Sequence, residues 1–138
     1  MTSKNSKHKA AMQKQKAAVD ASVEAASEER GIAILLTGDG KGKTSSAFGM
    51  VMRARGYNQR IAVIQFIKGE MLSGEEIYIR DKCPDVIFIQ MGTGFTWDTQ
   101  DKELDKQKAT QTWLEAKKFL ANEEISVVVL DEITYMIN

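Results

Sequence analysis

The apolar run Ile32-Ala33-Ile34-Leu35-Leu36 passes directly into Thr37-Gly38-Asp39-Gly40-Lys41-Gly42-Lys43-Thr44-Ser45. Five consecutive apolar residues suit a strand buried on both faces, and the residues from Lys43 onward read as a helix. A strand, a glycine-rich turn and a helix in that order open a parallel α/β fold, which limits the architectures open to this chain. Glycines carry no Cβ, so backbone N–H groups in such a turn can converge on phosphate oxygens. The helix beginning near Lys43 aims its positive dipole end at the same anion. Lys43 adds a mobile point charge, and the Thr44 hydroxyl suits a Mg²⁺ ligand. Gly38, Asp39, Gly40, Lys41, Gly42, Lys43, Thr44 and Ser45 are therefore the candidate nucleotide-binding residues. The usual spacing, G-x-x-x-x-G-K-[ST], asks for glycine at position 37, where this chain has Thr37. The offset points to an unusual mode of nucleotide binding.

Composition sets the outer limits. A chain of 138 residues has room for one core, and its 19 basic and 19 acidic residues cancel. No global field then steers it to nucleic acid or to an anionic membrane. The single cysteine, Cys83, rules out an internal disulfide framework, suits a reducing compartment and reads as an ordinary buried thiol. No stretch approaches the ~20 apolar residues of a membrane span, and the first residues lack the apolar segment of a secretion signal, so a cytoplasmic location is expected.

Two regions are expected. Residues 1–30 run from basic (Lys4, Lys7, Lys9, Lys14, Lys16) to acidic (Asp20, Glu24, Glu28, Glu29), with frequent alanine and no aromatics. Such a segment forms a mobile arm, or a helix in need of a partner. His8, the only histidine, lies in it with nothing to fix a catalytic imidazole. Residues 31–138 form the α/β domain. Expected strands are 32–36, 61–67, 86–89 and 125–130. Expected helices are 43–55 closed by Gly56, 73–82 stopped by Pro84, and 101–121 with Ala109, Trp113, Ala116 and Leu120 on one face. Apolar strands alternating with helices give a mostly parallel sheet covered on both faces, with ligands at the carboxyl ends of its strands. The loops at 37–43, 68–74, 91–99 and 131–135 should converge there.

Val127-Val128-Val129-Leu130-Asp131-Glu132 sets two carboxylates at a strand end, where an acid can sit beside phosphate-bound Mg²⁺ (or Mn²⁺). Thr44, Asp131 and Glu132 are thus the candidate metal-binding residues. The stretch Gly92-Thr93-Gly94-Phe95-Thr96-Trp97 places two large aromatics in a loop flanked by glycine. Phe95 and Trp97 either wall a flat apolar ligand or pack as core. Lys68 and Lys41 are possible phosphate contacts, Lys41 the better placed, while Arg53 and Arg55 read as surface charges.

Taken together, these stretches resemble the P-loop type of ATP:corrinoid adenosyltransferases. The resemblance rests on Gly38 through Ser45, Ala47-Phe48-Gly49, Gln65-Phe66-Ile67-Lys68-Gly69, Gly94-Phe95-Thr96-Trp97 and Val128 through Met136, in the family's order. It implies a P-loop NTPase-like fold in which ATP lies along the loop in the reverse direction. The reacting atom is then the ribose C5′, and the nucleophile is Co(I) of the corrinoid. Lys43, Thr44 and Glu132 take catalytic roles in stabilising the leaving triphosphate. Phe95 and Trp97 exclude the lower axial ligand, which eases reduction of Co(II). The resemblance further implies an electron donor such as a flavodoxin-type reductant, a homodimer, and an N-terminal arm closing over the corrinoid. Family chains continue for several dozen residues beyond the Asp-Glu strand, so the C-terminal strands of the family are expected to be lacking here. Two alternatives stay open: a small P-loop ATPase or kinase, and a non-catalytic relative that binds ATP or corrinoid without turnover.

Overall fold

The computed structural model describes residues 2–66, 73–91 and 102–136. The chain divides into two units between Leu36 and Thr37. In the first, helix α1 (Thr2–Ala25) is followed by irregular backbone to residue 36. Met12, Val19 and Val23 of α1 are all exposed, so its few apolar side chains build no core. Residues 32–36, expected as a buried strand, are neither. They join no ladder among the described residues, and Leu35 is 82% exposed. An apolar run becomes a strand only when neighbouring strands take up its N–H and C=O groups.

The second unit runs α2 (Lys43–Gly56), β1 (Ile61–Gln65), α3 (Gly74–Lys82), β2 (Ile87–Gln90), α4 (Lys102–Leu120), β3 (Val127–Asp131) and a 3₁₀ turn (Ile133–Met136). The three strands form an open parallel sheet in the order β2-β1-β3. The chain steps from β1 to β2 in one direction and from β2 back past β1 to β3 in the other. Right-handed crossovers then require the two connecting helices to lie on opposite faces. Packing agrees: α3 covers the face bearing Ile61 and Val63, and α4 the face bearing Ala62 and Ile64.

This alternation sorts the core into two layers. Phe48, Val51 and Ala54 of α2 join Ile79, Cys83, Val86 and Val129 on one side. On the other, Ala116 packs with Phe66, Trp113 and Phe119, the Phe66 and Trp113 rings lying 6.5 Å apart at 47°. β1 is buried along its whole length because both neighbours and both helical layers cover it. Cys83 is buried, as a free cysteine behaving as a small hydrophobe should be.

Three local expectations need correction. The α4 stripe passes from Ala116 to the half-buried Phe119, while Leu120, the last residue of the helix, is exposed although its position at i+11 keeps it in line with Ala109. Gly56 is the last helical residue of α2 and does not form its left-handed cap. Asn58 takes that conformation (φ 56°), one that Asn tolerates. Two strands also shift toward their carboxyl ends, β2 to Ile87–Gln90 and β3 to Val127–Asp131, so both end on a polar residue, while β1, expected over 61–67, stops at Gln65 ahead of a bend at Phe66. Helix α3 starts as its sequence directs. Ser73 and Glu76 form a reciprocal capping box, each side chain accepting the other's backbone N–H.

Candidate functional site

The site lies at the carboxyl ends of the strands, around a cavity of about 580 Å³. Residues 39–45, Ser73, Glu75, Glu76, Gln65, Asp131 and Glu132 line it. Of the four loops expected to converge, 37–43 and 131–135 therefore meet there, and 68–74 contributes Ser73. Lys68, Phe95 and Trp97 lie outside the described residues.

Glycine is required at two points of the loop. Gly38 (φ 120°) and Gly42 (φ 104°) hold backbone conformations that side chains rarely permit. Gly42 is the N-cap of α2 and supplies no side-chain cap, so the first N–H groups of α2 stay open toward the loop. Lys43 reaches back from the first turn. Its ammonium donates to the carbonyl oxygens of Gly38 at 2.6 Å and Gly40 at 2.7 Å, folding the loop around the charge. Gly38, Asp39, Gly40 and Lys41 are exposed, with Lys43 and Thr44 half-buried behind them.

Thr44 faces the strand-end acid. Its Oγ1 donates to Asp131 Oδ1 at 3.1 Å, bringing together two residues 87 positions apart. With its proton committed to the carboxylate, the hydroxyl keeps its lone pairs for another partner. Ser45 Oγ donates to Glu75 Oε1 at 2.7 Å, and this bond is the main reason Glu75 sits below the usual carboxylate range. Ser45 and Glu75 also border a second, apolar cavity of about 470 Å³ between α2 and α3, walled by Phe48, Met52, Tyr78 and Ile79. Glu132 is exposed and left-handed (φ 56°), a conformation that costs about 1 kcal/mol or more outside glycine. Its backbone therefore carries strain at the rim of the cavity.

Beneath the loop lies a network that the motifs did not announce. Gln65, at the end of β1, donates to Glu76 Oε1 and, at 3.2 Å, to Asp131 Oδ2. Gln90 Nε2 donates to Gln65 Oε1 at 3.0 Å. A glutamine closing an apolar strand and the Ser-x-x-Glu pattern at 73–76 were the available signals. Which carboxylate the glutamine meets depends on strand register and is not local. Arg53 and Arg55 were both read as surface charges. Arg53 is exposed, whereas Arg55 clamps Asp85 through three hydrogen bonds of 2.8 to 3.0 Å.

These elements define an open parallel α/β protein of the P-loop kind, with a glycine-loop helix start facing a strand-end acid. Residues 29–138 match the ATP:corrinoid adenosyltransferase family BtuR/CobO/CobP, and the chain belongs to that family. It is similar to the corrinoid adenosyltransferase of Pseudomonas aeruginosa, 45% identical over 94% of this chain and 64% of that protein. It is 46% identical to the Escherichia coli enzyme of that name, over 91% of this chain and 63% of that one. The relative from Salmonella typhimurium, a corrinoid adenosyltransferase termed CobA, is 47% identical over the same shares. The chain thus spans a little under two thirds of the length of these curated relatives. Among the described residues, no helix is long and apolar enough to cross a membrane.

Proposed function

We infer that this chain transfers the 5′-deoxyadenosyl group of ATP to Co(I) of a corrinoid and releases inorganic triphosphate. The observation that carries this reading is the meeting of the Gly38–Lys43 loop with the Thr44–Asp131 pair, in a chain belonging to the adenosyltransferase family. The Co(I) substrate brings the electron pair. It attacks C5′, the Co–C bond forms, and the C5′–O bond breaks with its electrons leaving on the triphosphate. No residue need act as nucleophile, so the protein's work is alignment and stabilisation of the leaving anion.

Lys43, the loop amides and the open N-terminus of α2 are suited to hold that triphosphate. The lysine directs its donors at loop carbonyls, and an entering phosphate offers it better, charged acceptors. The donor set is compatible with Mg²⁺ or Mn²⁺: hard oxygen atoms from Thr44, Asp131 and Glu132, with phosphate oxygens and waters filling the remaining positions. Such an ion would neutralise the leaving charge. Gly38, Asp39, Gly40, Lys41, Gly42 and Ser45 complete the nucleotide contacts.

On this reading residues 31–138 carry the chemistry, and residues 1–30 are an arm that closes over the corrinoid in a homodimer. Phe95 and Trp97 keep the lower axial position of the cobalt clear, and a flavodoxin-type protein supplies the electron in the cytoplasm. Incubation with ATP, Mg²⁺ and chemically reduced cob(I)alamin should give the absorbance spectrum of adenosylcobalamin and a triphosphate ³¹P signal. Release of ADP and phosphate without corrinoid would overturn the reading in favour of a P-loop ATPase. Trp97→Ala should leave ATP affinity intact and slow adenosylation of Co(II) corrinoids most.

A further inference from the structure

The parity of the sheet produces a polar row of which the proposed chemistry uses only Asp131. Phe88, Val63 and Val129 stand side by side across β2, β1 and β3, on the face covered by α2 and α3. Two residues further along, on the same face, the register sets Gln90, Gln65 and Asp131 side by side. The apolar layer thus ends in two carboxamides and one carboxylate, of which Gln65 and Asp131 line the loop cavity.

Gln65 is 5% exposed and Glu76 8% exposed. Both amide hydrogens of Gln65 are committed, one to Glu76 and one to Asp131 Oδ2, while its oxygen accepts from Gln90. Ionised carboxylates only accept, so two of them on the same NH₂ group dictate which way that carboxamide faces. Asp131 is in turn gripped at both oxygens, by Thr44 on Oδ1 and Gln65 on Oδ2. Glu76 does two tasks: Oε2 closes the capping box on the Ser73 N–H, and Oε1 holds Gln65. The cap alone would need only one of its oxygens.

We propose that Gln65 is a positioning residue, oriented by Glu76 and Gln90, that fixes the Asp131 carboxylate for the cation accompanying the nucleotide. This rests on the reading of Thr44 and Asp131 as the metal-bearing pair. Substituting Glu76→Gln separates the roles. The carboxamide introduced there can still accept the Ser73 N–H through its oxygen, but its NH₂ group then meets the NH₂ of Gln65. To relieve that clash Gln65 must turn over, presenting oxygen to Asp131 and NH₂ to Gln90. The grip on Asp131 is lost although the substitution is isosteric and lies one residue removed from it.

The test is ATP binding by calorimetry with and without Mg²⁺, together with Mn²⁺ affinity of the ATP complex by electron paramagnetic resonance. It uses the full chain, with folding checked by circular dichroism. Gln65→Met should lower Mn²⁺ affinity about tenfold, the scale of one hydrogen bond to a charged group, and leave metal-free ATP binding unchanged. Glu76→Gln should weaken the metal similarly, although it removes a negative charge from a site for anions. A role limited to charge would tighten ATP binding instead, and that result overturns the proposal. So does a wild-type Mn²⁺ affinity in Gln65→Met, which decides the matter alone if Glu76→Gln does not fold. If ATP affinity of the unmodified chain ignores Mg²⁺, the reading of the metal pair falls and the proposal with it.

Discussion

Ile61-Ala62-Val63-Ile64-Gln65 and Ile32-Ala33-Ile34-Leu35-Leu36 are five-residue runs of nearly the same composition, and they end in opposite states. The first is strand β1, paired on both sides and buried along its length. The second joins no ladder among the described residues and exposes Ile32, Ile34, Leu35 and Leu36. Side-chain hydrophobicity is therefore not what separates them. A strand is a collective state, and its backbone groups are satisfied only by neighbours supplied from elsewhere in the chain. β1 has two such neighbours and two helical layers. The same apolar content without them is a liability, because exposed apolar runs invite further association.

Amide hydrogen exchange probes this contrast with the largest expected effect. The N–H groups of 62–65 should exchange at least about a thousandfold more slowly than those of 32–36, since core strands open only near the global unfolding free energy. Equal, strong protection in both runs would break the comparison, showing that 32–36 is paired in solution. The next effect is on stability. Ile64 is fully buried, so Ile64→Ala should cost about 2–5 kcal/mol in denaturant unfolding through lost transfer energy and a cavity. Leu35→Ala, at an exposed position, should stay within about 0.5 kcal/mol. A cost for Leu35→Ala near that of Ile64→Ala would again place the two runs in one class.

The legible parts of this protein share a feature: their physics is local. Gly38 and Gly42 were readable because only glycine suits their backbone angles, and Lys43 and Thr44 because a helix start fixes where they stand. The carboxyl-terminal ends of strands collect polar residues, so Asp131 was readable too. Contacts across the sheet were not. Nothing near Gln65 in sequence says that its carboxamide faces Glu76 on α3 and Asp131 on β3; only the register of three strands decides that. Leu120 and Phe119 are an intermediate case. Helical periodicity limits the face to one or the other, and the packing of Ala116 and Trp113 makes it Phe119. The strand expected at 32–36 failed for the collective reason, since composition cannot report whether partners exist.

The smallest effect concerns the surface of the packed unit. Asp85, ahead of β2, lies below its ordinary carboxylate range because the Arg55 guanidinium at the end of α2 donates to it. Arg55 is raised by the same bonds and stays charged across the working pH range. A depressed carboxylate contributes stability that is present above its unfolded value and is lost as pH falls through its folded value. The pair should therefore help at neutral pH and fade only in acid. Its side chains are 34% and 54% exposed, so water and salt screen much of the attraction. Asp85→Asn should lower the thermal midpoint slightly at pH 7, and the gap to the unmodified chain should close as the pH drops below the usual carboxylate range. Added salt should shrink the same gap at neutral pH. A loss as large as that of Ile64→Ala would mean that surface pairing, and not burial of β1, sets the stability of this unit.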